Sequence, residues 1–150
     1  IDRGFIRRAC LWLRDTPGMQ FNMLTDLTVV DYLGRTPRFQ VVYHFYSIPL
    51  KHRLRIKVGV PEDDPTVDTV SDIFKCANWA EREAWDLYGV RFANHPDMRR
   101  ILLYPEFVGH PLRKDYPKQR NQPLIRRPEH EIAEVLERRS GPGKNLATHG

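Results

Sequence analysis

The strongest constraint on the fold is a run of strict alternation, in which Leu54, Ile56, Val58 and Val60 interleave with Arg55, Lys57 and Gly59. Side chains on a strand point to opposite faces with a period of two, so this run reads as a half-buried strand with one apolar and one cationic face. Residues 39–48 (FQVVYHFYSI), just upstream, are rich in β-branched and aromatic residues and predict a second strand. The short stretch 49–53 cannot hold a parallel crossover, which needs about a dozen residues, so the two strands are expected to pair as an antiparallel hairpin.

Around this hairpin the chain supplies helices. Phe5, Ile6, Ala9, Trp12 and Leu13 recur at helical spacing among Arg7, Arg8 and Arg14, which predicts an amphipathic helix ended by Asp15-Thr16-Pro17-Gly18. Residues 21–33 (FNMLTDLTVVDYL) favour a further strand, with Thr25, Asp26 and Asp31 marking its ends or an irregular edge. Pro61 and Pro65 lack a backbone donor, so residues 61–65 form an exposed loop. Thr69 with Asp72, and Asn78 with Glu81, each have the spacing of a capping box, so a bent or two-part helix is expected. Its apolar line is Val70, Ile73, Ala77, Ala80, Ala84 and Leu87, and Gly89 is placed to end it in a left-handed turn. Residues 100–104 are expected to add a short strand, stopped by Pro105.

The fold class expected is therefore α+β, with a compact domain over residues 1–108. From residue 109 to 150 the prolines at 111, 117, 123 and 128 lie among many charges, leaving little to bury. This basic tail is expected to run extended and to take its order from a partner. A short charged helix is expected within it at residues 129–139, with Ile132, Val135 and Leu136 on one face.

The available chemistry is narrow. Cys10 and Cys76 are the only cysteines, too few for a multi-bridge disulfide framework or a four-cysteine iron-sulfur cluster held by this chain alone. No glycine-rich dinucleotide turn or phosphate loop follows a strand, and the six histidines lack paired ligand spacing. No cofactor or metal is therefore expected. No stretch approaches the roughly 20 apolar residues of a membrane span, so any membrane association is expected to be indirect.

Glu81 and Glu83, two apart on a helix, point to opposite sides and cannot form a catalytic dyad. Arg82 and Asp86, four apart, are placed to pair on one face. Trp85 and Tyr88 lie off the aliphatic line and serve either the core or an interface, where Trp, Tyr and Arg concentrate binding energy. The net charge of +5 suits nucleic acid, an acidic lipid surface or an acidic protein. Between residues 113 and 127 six basic residues (Arg113, Lys114, Lys118, Arg120, Arg126, Arg127) face one acid, Asp115, with one aromatic, Tyr116, available to stack on bases. Protein docking fits this segment better, and a basic nucleic-acid-binding module is the alternative.

Residues 78–117, NWAEREAWDLYGVRFANHPDMRRILLYPEFVGHPLRKDYP, closely resemble the signature region of the 30 kDa-type (C) subunit of respiratory complex I, NADH:quinone oxidoreductase. Upstream, DLTVVDYLGR, FQVVYHF and LRIKVGVPEDDPTV fall in the same order, so the resemblance covers residues 20–118. It implies helices packed on a mixed, largely antiparallel sheet, with a C-terminal extension draped over the neighbouring D subunit of the quinone module. It also implies a peripheral, cofactor-free component of a proton-translocating complex whose FMN and iron-sulfur clusters sit in partner subunits. The expected location is the cytoplasmic side of a bacterial inner membrane or the matrix side of the mitochondrial one. The matched positions are Glu81, Arg82, Glu83, Asp86, Gly89, His95, Pro96, Arg100 and residues 109–115. Together with Trp85, Tyr88 and Tyr116, these lead to a set expected to serve partner binding or assembly: Glu81, Arg82, Glu83, Trp85, Asp86, Tyr88, His95, Arg100, His110, Arg113, Lys114, Asp115 and Tyr116.

Overall fold

The alternating run does form a strand, β3 (Arg53–Val60), and it pairs antiparallel with β2 (Phe39–Tyr46) across the expected hairpin. On the other side of β2 lies β1 (Met23–Asp31), also antiparallel, giving the sheet order β1-β2-β3. These elements belong to a computed structural model that describes residues 1–125. The register places Phe39, Val41, Tyr43 and Phe45 opposite Val60, Val58, Ile56 and Leu54, so these side chains share the inner face. Leu24, Leu27 and Val29 of β1 join them. A register shift between Leu24 and Asp26 accounts for the imperfect alternation of the β1 sequence: the extra residue returns the apolar side chains to the inner face.

Helix α1 (Ile6–Asp15) buries Ile6, Cys10 and Leu13 in this core, and α2 (Ala77–Tyr88) buries Ala77 and Ala84. The outer face of the sheet is wet. Arg53, Arg55, Lys57, Asp26 and Thr28 are exposed, and His44 and Tyr46 are half-buried.

Three local expectations give way to tertiary contacts. The bent or two-part helix is a single helix, because residues 66–76 do other work. Thr66–Asp68 form a short strand, β4, parallel to β5 (Arg91–Ala93), and residues 69–76 turn back toward α2. Neither capping box operates: Thr69 and Glu81 bond to each other, and the N-cap of α2 is Cys76, with no side-chain bond. Residues 100–104 are not a strand, since their amides wrap a carboxylate of α2 instead. The observed class is α+β, as expected. The helix expected at residues 129–139 lies outside the described residues.

Gly89 caps α2 with φ of 76°, and its N–H donates to the Trp85 carbonyl at 2.8 Å. A Cβ there would also lie 2.5 Å from Arg113 Nη2 and 2.6 Å from His110 Cδ2. Gly89→Ala is therefore expected to cost on the order of 1–3 kcal/mol through left-handed strain and crowding. Urea denaturation should show a lower midpoint, and limited trypsin digestion should cut faster near Arg113.

Candidate functional site

Two buried carboxylates organise the segment after β5. The first is Asp86, fully buried two residues before the end of α2, where the helix dipole disfavours a negative charge. Its Oδ2 accepts the successive N–H groups of Ile101, Leu102 and Leu103 at 3.1, 2.9 and 2.9 Å, and its Oδ1 accepts from Arg100 Nη1 at 2.5 Å. Burial pushes this carboxyl up, but the Leu103 amide, Arg100 and the other two amides outweigh it and hold the group below its usual range. Arg100 lies between the rings of Trp85 and Phe107, at 5.6 and 5.8 Å, and donates to the carbonyls of Phe107 and Gly109.

From there the chain covers the C-terminus of α2, whose last carbonyls lack helical partners. His110 Nδ1 donates to the Asp86 carbonyl at 2.9 Å, the Leu112 N–H to that of Leu87 at 3.1 Å, and Arg113 Nε to that of Tyr88 at 2.6 Å. Burial lowers the His110 pKa and favours the neutral ring. Where the sequence leaves this arm to a partner, residues 110–116 find bonding groups on their own chain.

The second carboxylate is Asp31, at the end of β1. It pairs side-on with Arg38, and both side chains are almost wholly buried. Every N–H of the Arg38 guanidinium has an acceptor among Asp31, Glu62 and Asp115. Asp31 Oδ2 also accepts the Lys114 N–H at 2.8 Å. Hydrogen bonds from Arg38 hold both Asp31 and Asp115 below the ordinary carboxylate range. Residues 109–116 thus form a strap, held at one end by Asp86 and Arg100 and at the other by Asp31 and Arg38.

Glu81 faces the core. Its Oε1 accepts the Val70 N–H at 2.8 Å and its Oε2 accepts from the Thr69 hydroxyl, tying α2 to the end of β4. His95 Nε2 lies 3.9 Å from Glu81. That nitrogen donates to the Asn78 carbonyl, and Nδ1 accepts the Asp97 N–H, the pattern of a neutral ring, so Glu81 has no cation beside it. Burial pushes the Glu81 carboxyl up to about 7, against the lowering effect of Thr69 and Val70.

The structure brings Trp85, Asp86, Tyr88, Arg100, His110, Arg113, Lys114, Asp115 and Tyr116 into one region around the strap, with Tyr116 stacked on Phe107 at 6.3 Å. Glu81 and His95 sit apart, in the core near β4, and Glu83 is exposed. The expected Arg82–Asp86 pair is not formed. Asp86 turns inward to residues 100–103, and Arg82 donates to the carbonyls of Arg99 and Arg100. Sequence reasoning missed Arg38, Asp31 and Glu62. The available signal was parity: Asp31 follows Leu27 and Val29 on the inward register, where a charge requires a buried partner. Among the described residues no cluster of three or more His, Cys, Asp or Glu is placed to hold a metal, and no helix is long and apolar enough to cross a membrane.

The α+β body thus holds residues 109–116 as a strap, tied down at the Asp86–Arg100 pair and at the Asp31–Arg38 pair. The family described as respiratory-chain NADH dehydrogenase, 30 Kd subunit, matches residues 1–122, and the chain belongs to it. The C subunit of the NADH-quinone oxidoreductase of Geobacter sulfurreducens is 59% identical over 111 residues, covering 73% of this chain and 67% of that protein. Its counterpart in Geotalea uraniireducens is 57% identical over 110 residues, covering 73% and 66%. The chain thus spans about two thirds of the length of these relatives. Among solved structures, the trypsin-resistant fragment (1-134) of Nqo5 matches with a TM-score of 0.60 at 37% identity, covering 65% of this chain and 78% of that one. A chain of the archaeal membrane-bound sulfane sulfur reductase shares the fold, with a TM-score of 0.69 at 23% identity over 100% of this chain and 78% of that one.

The buried charges can be tested by removing them one at a time. Arg38→Leu strands Asp31 and is expected to cost roughly 3–5 kcal/mol in denaturant unfolding. Adding Asp31→Leu should restore much of that stability while leaving residues 114–118 open to protease, which separates the body's stability from the strap's attachment. For Glu81 the folded pKa is raised, so the stability it supports is greatest below about 4.5 and falls as pH rises through about 7. The full loss is roughly 3 kcal/mol. Glu81→Gln mimics the protonated acid and should flatten the stability profile between about pH 5 and 8, while an unchanged slope would assign the titration to another group.

Proposed function

We propose that this chain is a cofactor-free assembly component of the peripheral arm of a proton-translocating NADH:quinone oxidoreductase. It docks on the D subunit of the quinone module through the strap and its basic continuation. In this role it positions its neighbours so that electrons pass between FMN and iron-sulfur clusters carried elsewhere, and it does no chemistry alone. The curated relatives named above are bacterial, which favours a peripheral place at the cytoplasmic face of the inner membrane over the mitochondrial matrix side.

The observation that carries this reading is how the polar groups are used. Asp86, Asp31, Glu81, His95 and His110, the groups best suited to acid-base work, all bond to backbone or arginine of the same chain and hold segments in place. What faces outward along the strap and just beyond is Leu112, Lys114, Lys118 and Arg120, a mixed apolar and cationic surface. Arg113 lies against Phe39 and bonds to Tyr88, and Tyr116, the one aromatic of the segment suited to stack on a base, is stacked on Phe107, so the exposed cations have no free stacking group beside them. Protein docking is favoured over nucleic acid on that ground.

Lys114→Glu with Lys118→Glu reverses exposed charges without touching the internal bonds of the strap. Incorporation of the chain into the complex, followed by native electrophoresis, is expected to fall on the order of tenfold, with the isolated chain's unfolding curve unchanged. Normal assembly would remove the strap from the interface. The purified chain should show neither flavin nor cluster absorbance, and stoichiometric iron or flavin would overturn the cofactor-free reading.

A further inference from the structure

The outer face of the sheet carries a row of charges that the fold itself does not use. Arg53, Arg55 and Lys57 sit at alternate positions of β3, all exposed, about 7 Å apart at the ordinary strand rise. Among the described residues Arg3, Arg7, Arg14, Arg38, Arg99 and Arg100 each have a carboxylate at ion-pair distance, whereas these three have none. The cross-strand neighbour of Arg55 is His44, which adds no negative charge, and the one acid on this face, Asp26, lies beyond it on β1, 3.7 Å from His44. A row of like charges on one strand face is unfavourable without a counter-charge.

Beside the row, the register places Met23, Tyr46 and Arg53 as consecutive cross-strand neighbours, with the Arg53 guanidinium over the Tyr46 ring at 5.0 Å. Met, Tyr and Arg are the residue types that protein interfaces enrich. A depression of about 340 Å³ is lined by Thr25, His44, Arg53 and Arg55 together with Phe45 and Leu54. We propose that this outer face is a second docking surface, which takes an acidic face of a neighbouring protein in the complex whose carboxylates neutralise Arg53, Arg55 and Lys57. The Arg53 guanidinium lies over the Tyr46 ring, so a base stacking on that face would have to displace it, which disfavours nucleic acid. This inference rests on the reading of the chain as an assembly component.

Charges on an edge strand also guard against aggregation, and either sign does that work. The test therefore reverses sign. The triple variant Arg53→Glu, Arg55→Glu, Lys57→Glu, expressed as the full chain in cells lacking the native protein, should stay soluble and folded by circular dichroism, yet enter the complex on the order of tenfold less well. In the wild-type complex, a zero-length carbodiimide should join the Lys57 amine to an Asp or Glu of another polypeptide, identified by mass spectrometry. Normal incorporation of the triple variant and no Lys57 cross-link would overturn the second surface, while leaving the strap reading intact. A wild-type chain that never co-purifies with the complex would defeat both. Salt-sensitive binding of the free chain to RNA or to phosphatidylglycerol vesicles, lost in the triple variant, would overturn the protein partner in favour of that ligand.

Discussion

The fold beyond β5 depends on one carboxylate in an unfavourable place. Asp86 is buried near the negative end of α2, where neither solvation nor the helix dipole supports an anion. Its stability there requires donors, and the chain delivers them as three successive amides and a guanidinium. Each donor brings a piece of backbone to a fixed position. Arg100, once placed, gathers the carbonyls of Phe107 and Gly109, which sets His110 over the helix end. A segment with no regular secondary structure is thus shaped by satisfying a single charge.

The far end of the strap repeats the logic with the roles reversed. There a buried cation, Arg38, collects three carboxylates from β1, the loop after β3 and the strap itself. Of the three, only Arg38–Asp31 is buried on both sides, and such a pair contributes little net stability beyond what an apolar pair would give, because desolvation offsets most of the attraction. The hydrogen bonds at this end are directional, however, and they tie Lys114 and Asp115 to Asp31 and Arg38.

This division explains what was legible in the sequence. The three long strands, α1 and the Gly89 cap follow from period and turn chemistry, which act over a few residues. β4 and β5, three residues each, are too short to show a period. Residues 100–104 have the composition of a strand, but Asp86 supplies acceptors for their amides and prevails over the local preference. The helical spacing of Arg82 and Asp86 is real, yet a pair on the surface is weaker than the buried alternatives open to each. Arg38 gave no periodic signal at all. Its partner Asp31 did, by standing where an apolar inward residue was due.

The basic character of the chain also acquires a structure. The arginines nearest the core are consumed internally: Arg38 and Arg100 by carboxylates, Arg82 and Arg113 by carbonyls. Within the compact body, the exposed side chains of β3 form the one ordered row of cations facing solvent, and beyond it the surplus continues along the strap at Lys114 and Lys118. A positive net charge spread evenly would attract anions without orienting them. Concentrated on a sheet face and a clamped strap, the same charge would, in the proposed docking role, distinguish one approach of a partner from another, because only a surface with its acids in matching places gains from both.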